Sequence, residues 1–391
     1  MSATRRTGRR ETVAKRRAHA GRRVPARRDA KAKLPRAARS RARAGRARRT
    51  AAQPRRFLWA RSSTEQLLHL RMRDLGVRLE GTWVQKCVEE VYGELARRGI
   101  RLRPHVWLSH DWYSPEGVPG VAIPFYLAHP RLMRLERRQM LEVEGGTHEE
   151  CVKILRHEFG HAIQHAYQLQ RRRQWQKLFG HSSQRYPDVY QPNPASRRFV
   201  QHLRLYYAQS HPDEDFAETF AVWLQPRAIW RKRYAGWPAL RKLEYVDALM
   251  EEIRQRRPDV RTRRRVDPLG RITRTLREHY DEKREQYSVS YPDIYDRDLK
   301  RLFSDLPRHR RFERASRFLR RNRTEIRRLV SRWTGEYQFT LEQVMRDMIG
   351  RCHELKFRAV GSERRLKMDF AVLLTVKTMH SLYSRRSGIA L

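Results

Sequence analysis

Large apolar residues become regular only after residue 56. Leu67, Leu68, Leu70, Leu75, Val77 and Leu79 begin a helical pattern, and Val84, Cys87, Val88, Val91, Tyr92 and Leu95 continue it at spacings of three and four. Gly81 predicts a break into two helices. Residues 101–109 read as a strand. Gly117, Pro119 and Gly120 mark a turn, and residues 121–128 read as a second strand that Pro124 assigns to an edge. Gly145 and Gly146 close that region. Thr147 and Glu150 have the T-x-x-E spacing of a capping box and open a long helix to about residue 172, with Cys151, Ile154, Leu155, Phe159, Ala162, Ile163 and Ala166 on its apolar positions. Residues 180–198 are loop-like. A helix is expected over 196–210, and His211-Pro212-Asp213 leads into another over 214–224, with Pro in the first turn. Ten Arg between 254 and 277, with Pro258 and Pro268 among them, mark a basic linker, set at 254–269. Residues 270–391 read as an all-helical C-terminal domain. Thr340 is expected to cap a segment carrying Leu341, Val344, Met345, Met348 and Ile349, and a last apolar helix covers 370–382. No internal repeat is evident.

Charge adds a third part. The 391 residues hold 87 Lys or Arg and 43 Asp or Glu, a formal net charge of +44. Residues 1–56 alone hold 22 basic residues and two acids, Glu11 and Asp29. Such a segment has too little apolar surface to offset its ordering entropy, so it reads as a disordered Arg-rich arm. Counterion release would let it bind nucleic acid or another polyanion; a solubilising tail and an organellar transit peptide are the other readings. No apolar run approaches the ~18 residues a membrane helix needs. Cys87, Cys151 and Cys352 are too few and too far apart for a disulfide framework. A cytoplasmic compartment fits, with nucleoid association if the arm binds nucleic acid.

The chemistry sits in His157-Glu158-Phe159-Gly160-His161, an H-E-x-x-H within the long helix. Residues four apart lie ~400° round a helix, on one face and one turn apart, so both imidazoles can reach one zinc ion. Glu158 flanks that site as general base for a water molecule there. His165 is a further turn along the same helix, too far to share the ion easily; it reads as pocket lining or as support for a ligand. Downstream, Glu214 and Glu218 face one side of the helix that follows His211, among Phe216, Ala217, Phe220 and Ala221. Carboxylates in such surroundings need a partner, and a cation is one. Glu214 as ligand, with Glu218 hydrogen-bonded to a ligating His, satisfies both.

These two motifs, H-E-F-G-H and E-D-F-A-E-T-F, resemble the gluzincin class of zinc metallopeptidases. They are particularly similar to the catalytic domain of anthrax lethal factor and to a group of bacterial zinc-binding metallopeptidases. The resemblance covers about residues 120–224. It implies an α+β, zincin-like metallopeptidase domain over 57–253, with a small mixed sheet. It implies one Zn²⁺ per chain held by His157, His161 and Glu214, with Glu158 as general base and Glu218 supporting a ligand. It places Tyr207, seven residues before Glu214, as the donor to the oxyanion; His211 is the other candidate donor. The E-x-F-A pattern occurs twice, so Glu218 is the alternative ligand; Glu214 is preferred because a carboxylate then remains one turn later. The expected function is hydrolysis of peptide bonds in a protein or peptide substrate. The competing expectation is a basic nucleic-acid-associated or scaffold protein with a structural or vestigial zinc site.

Overall fold

The computed structural model describes residues 57–187, 189–287, 295–383 and 389–390. The Arg-rich arm lies outside them. Ser63 caps a short helix α1 (Thr64–Leu68) through a reciprocal box with Gln66. The helical pattern expected over 67–79 stops there. A 3-10 turn covers Met72–Leu75, and Gly76 adopts a left-handed conformation. Distant backbone explains the difference: the Met72 and Arg73 amides donate to the carbonyls of Arg274 and Ile272 at 3.0 Å, so they are withdrawn from any local helix.

Helix α2 (Trp83–Arg97) is capped by Thr82 and buries Val84, Cys87, Val88, Val91 and Leu95. Two strands follow, β1 (His105–Ser109) and β2 (Gly120–Pro124). They pair in parallel, from His105 opposite Gly120 to Ser109 opposite Pro124. Both are shorter than expected. Pro124 ends β2, and Phe125–Ala128 turns into a 3-10 helix before α3 (Pro130–Met140).

Helix α4 (His148–Tyr167) is the centre of the fold. The Thr147 hydroxyl accepts from the Glu150 amide, and Gln168 ends the helix in a left-handed conformation, short of residue 172. From Cys151 to Tyr167 only Lys153 and Arg156 are not buried, so α4 is covered on all sides. After α5 (Arg173–Phe179) the chain forms β3 (Val189–Tyr190), which pairs antiparallel with β4 (Ile389–Ala390). The helix expected over 196–210 is absent. Residues Arg204–Gln209 form a kinked 3-10 turn, with Leu205 and Tyr206 both at φ 58°. The Leu203 amide is taken by Glu218, at 2.8 Å, and the Gln209 side chain is tied to the Asn193 backbone.

Helix α6 (Pro212–Leu224) lies across α4, with His211 at its cap. The chain continues through α7 (Trp230–Arg233) and α8 (Ala239–Ile253), a stretch whose one regular element is a 3-10 turn at Leu269–Arg271, and α9 (Leu276–Gln286). Helices α10 (Asp296–Leu302), α11 (Ala315–Thr334), α12 (Gln338–Glu354) and α13 (Glu363–Tyr383) complete the helical region. Thr340 lies inside the first turn of α12 and does not cap it; Tyr337 holds the cap position. The last helix begins seven residues earlier than its apolar run, at Glu363.

Two large apolar cores, with two small satellite clusters, result among the described residues. The first runs from Trp59 to Tyr280 and includes α9 residues Leu276 and Tyr280. The second joins Tyr295 to Leu374 across α10–α13. Phe159, Phe216 and Phe220 are fully buried in the first core, where α4 meets α6. Burial of each stabilises the pair by roughly 1.5–3 kcal/mol, which fixes the two helices that carry the chemistry-bearing side chains. Among the described residues no helix is long and apolar enough to cross a membrane.

Candidate metal centre

Close approach of α4 and α6 depends on two small residues. A Cβ placed on Gly160 would stand 2.9 Å from Ala217 Cα and 3.2 Å from Phe220 Cδ1. Any side chain there would push the helices apart. With glycine, His157 and His161 reach the first turn of α6. His157 Nε2 lies 3.0 Å from Glu214 Oε2, His161 Nε2 lies 3.1 Å from the same oxygen, and the two nitrogens are 3.1 Å apart. Three ligand-type atoms therefore converge on one point in a buried place. Ligand atoms ~2.0–2.1 Å from a tetrahedral zinc ion stand ~3.3 Å apart, so the spacing and the His-His-Glu donor set fit zinc.

The surroundings fix these three side chains. The other nitrogen of His157, Nδ1, is 2.9 Å from Glu218 Oε1, whose second oxygen accepts from the Leu203 amide. Glu218 thus stands behind His157 and turns Nε2 toward Glu214. Tyr186 donates to Glu214 Oε1 at 2.9 Å, which leaves Oε2 to face the histidines. The Tyr186 ring lies on the His211 ring with centroids 3.7 Å apart. His211 itself caps α6: its Nδ1 accepts from the Asp213 amide, and its Nε2 donates to the Gln184 carbonyl. Both its nitrogens are engaged. Asp213 is held by Gln164 and Ser182, and buried Asp215 by Lys242 at 2.5 Å. Each acid of the D-E-D run before Phe216 therefore has its own partner.

Three carboxyl groups and two imidazoles meet at this point. Glu158, Glu214 and Glu218 are all buried, and among the described residues no Lys or Arg pairs with any of them. Burial alone would raise the Glu214 pKa, but the charges and hydrogen bonds of His161 and His157 hold it well below the usual range. Burial alone would lower the His157 pKa; its contacts with Glu214 and Glu218 raise it to about 10. Glu158 is raised by burial, with His157 and His161 offsetting only part of that rise. Its Oε2 has no hydrogen-bond partner. A buried carboxylate oxygen without a partner is costly, and a cation beside it relieves the cost.

Tyr207 stands over His157, with ring centroids 5.6 Å apart. Burial and the charges of Glu214 and Glu158 keep its hydroxyl protonated far above the usual range. His165 is buried one turn beyond His161, outside the triangle, and its Nδ1 has no partner. Burial, with the charge of His161, lowers its pKa to about 4. The structure thus brings His157, His161, Glu158, Glu214, Glu218 and Tyr207 into one place, and sets His165 and His211 at its edges. Sequence reasoning missed Tyr186. It lies in a polar segment without periodicity, and nothing in its neighbours marks it.

These features define a buried, two-histidine, one-carboxylate site between crossed helices, of the kind that can hold a metal ion. Residues 134–236, which contain all of them, match the model of the family described as "Putative zinc-binding metallo-peptidase". No curated protein and no solved structure matches the chain.

Proposed function

We propose that this chain is a zinc-dependent peptidase of the gluzincin kind, with a zincin-like catalytic domain and one Zn²⁺ held by His157, His161 and Glu214. The observation that carries the reading is the triangle of His157 Nε2, His161 Nε2 and Glu214 Oε2, with sides of 3.0–3.1 Å, beside the unpartnered Oε2 of Glu158. When bound, zinc supplies a Lewis acid for a peptide carbonyl and lowers the pKa of water toward about 7. The chain's own groups do the rest. Glu158 Oε2, free of other partners, accepts a proton from the attacking water and passes it to the leaving amine. The Tyr207 hydroxyl donates to the oxygen that becomes negative. Glu218 orients His157, and Tyr186 keeps Glu214 in a one-oxygen pose. Glu214 is the third ligand in this reading, because Glu218 is committed to the opposite nitrogen of His157.

The test is Glu158→Gln in the full chain. Zinc content should stay at one per chain while cleavage of a mixed peptide library falls by roughly 10²–10⁴. Tyr207→Phe should lower kcat with little change in KM. If a scaffold with a structural zinc site were the right description, neither change would alter any property beyond folding. A structural site is normally closed by four protein ligands, and among the described residues three converge here.

A further inference from the structure

The Arg-rich stretch before α9 is held in place at both ends. The Val260 amide donates to the Ala166 carbonyl, and the Tyr167 hydroxyl to the Arg256 carbonyl, at the C-terminal end of α4. Further on, His105 Nε2 meets the Arg264 carbonyl at 2.8 Å and Trp107 Nε1 donates to the Val266 carbonyl at 2.8 Å. Two residues of the stretch thus pass two residues of β1, so it runs extended beside the strand. Residues 254–265 carry seven Arg and one acid, Asp259, a net +6 over twelve residues. All residues from 57 onward carry only +24. The excess is therefore local and is not just the basic composition of the chain.

Two of the seven are neutralised: Arg254 by Glu251 and Arg256 by Asp259. Arg257, Arg261, Arg263, Arg264 and Arg265 are exposed and, among the described residues, have no carboxylate within ion-pair distance. Arg254 and Gln255 line an open groove of about 680 Å³ together with Tyr92, Arg101 and the ion pair of Arg103 with Glu89. The Arg103 guanidinium lies over the Tyr92 ring at 4.3 Å.

We propose that residues 254–265 and this groove bind the sugar–phosphate backbone of a single-stranded nucleic acid. In an extended segment, residues two apart repeat every ~6.6–6.8 Å on one side, so Arg261, Arg263 and Arg265 can meet successive phosphates of an extended strand. Displaced counterions supply the affinity. A pre-ordered backbone reduces the ordering cost of the contacts.

The experiment measures anisotropy of fluorescent oligo(dT) against salt, using the full chain so that residues 1–56 contribute equally throughout. The test variant changes Arg257, Arg261, Arg263 and Arg265 to Gln. The control changes Arg317, Arg320, Arg328 and Arg332 of α11 to Gln, removing the same charge from another exposed face. Each lost phosphate contact lowers the slope of log K on log salt by ~0.7. The test variant should lose ~2–3 in slope and at least tenfold in affinity, and the control less than twofold. Lys at the four test positions should restore most of the binding; no restoration would mean that the Gln variant acted through folding and would overturn the assignment. Equal losses in test and control would also overturn it. So would a parallel loss toward phosphatidylserine vesicles or polyglutamate, which would mark a generic basic face.

Discussion

At the scale of residues, the site is a set of side chains each held by one neighbour. His157 is the clearest case, with Glu214 at one nitrogen and Glu218 at the other. Removing a carboxylate that orients a ligand typically costs 10–100-fold in metal affinity. Glu218→Ala should therefore weaken zinc binding by that factor, as read by competition with a chromophoric chelator, and Glu214→Ala should abolish stoichiometric binding. Equal effects would mean that the two acids do not have separate roles. His157 with His161, and Glu214 with Glu218, were legible because positions four apart on a helix share a face; Tyr207 was implied by the family resemblance alone. Tyr186 was not legible, because its place beside Glu214 follows from the path of a loop that no local pattern describes.

Elements were legible where their hydrogen bonds are local. Helices α4 and α6 have caps, helical periodicity and buried apolar faces in their own sequence. Residues 67–79 and 196–210 have apolar spacing too, but their backbone or neighbouring side chains are claimed from far along the chain, by Ile272 and Arg274 in the first case and Glu218 in the second. Periodicity carries no information about such distant partners. The crossing of α4 and α6 then rests on Gly160. Gly160→Ala should destabilise the chain by ~1–3 kcal/mol in a denaturant melt, and weaken zinc binding with it. Gly350→Ala in α12, where an added Cβ meets nothing within 4 Å, is the matched control and should stabilise by ~0.5–1 kcal/mol. A neutral Gly160→Ala would show that helix contact does not set the ligand spacing.

For the whole molecule, the boundary between the two cores carries charge. Glu142 and Glu144 line a small cavity with Lys283, Tyr287 and Tyr337, where α9 and the start of α12 meet the loop before α4. Burial pushes both carboxyl groups up to about 7, against an ordinary 4.5; Arg204 pulls Glu142 down, while Asp111 adds to the rise of Glu144 and Lys283 opposes it. Between those values the folded chain holds protons that the unfolded chain has lost. Their contribution to stability therefore falls as pH rises from about 4.5 to about 7. His202, lowered by burial to about 4, works the other way below pH 6.5, so the carboxyl effect is read as a difference. The gap in melting temperature between Glu142→Gln/Glu144→Gln and the parent should widen in favour of the variant across that window. A gap independent of pH would contradict the assignment. Residues 254–269, set as a linker from composition, hydrogen-bond to side chains of β1 through the Arg264 and Val266 carbonyls, contacts that composition does not describe.

The central claim is a zinc site built by α4 and α6. The most direct measurement is metal content of the purified full chain after reconstitution with zinc at neutral pH, beside His157→Ala and Glu214→Ala. One zinc per chain, lost in both variants, is the predicted result. No zinc in the parent, or zinc retained in both variants, would contradict it.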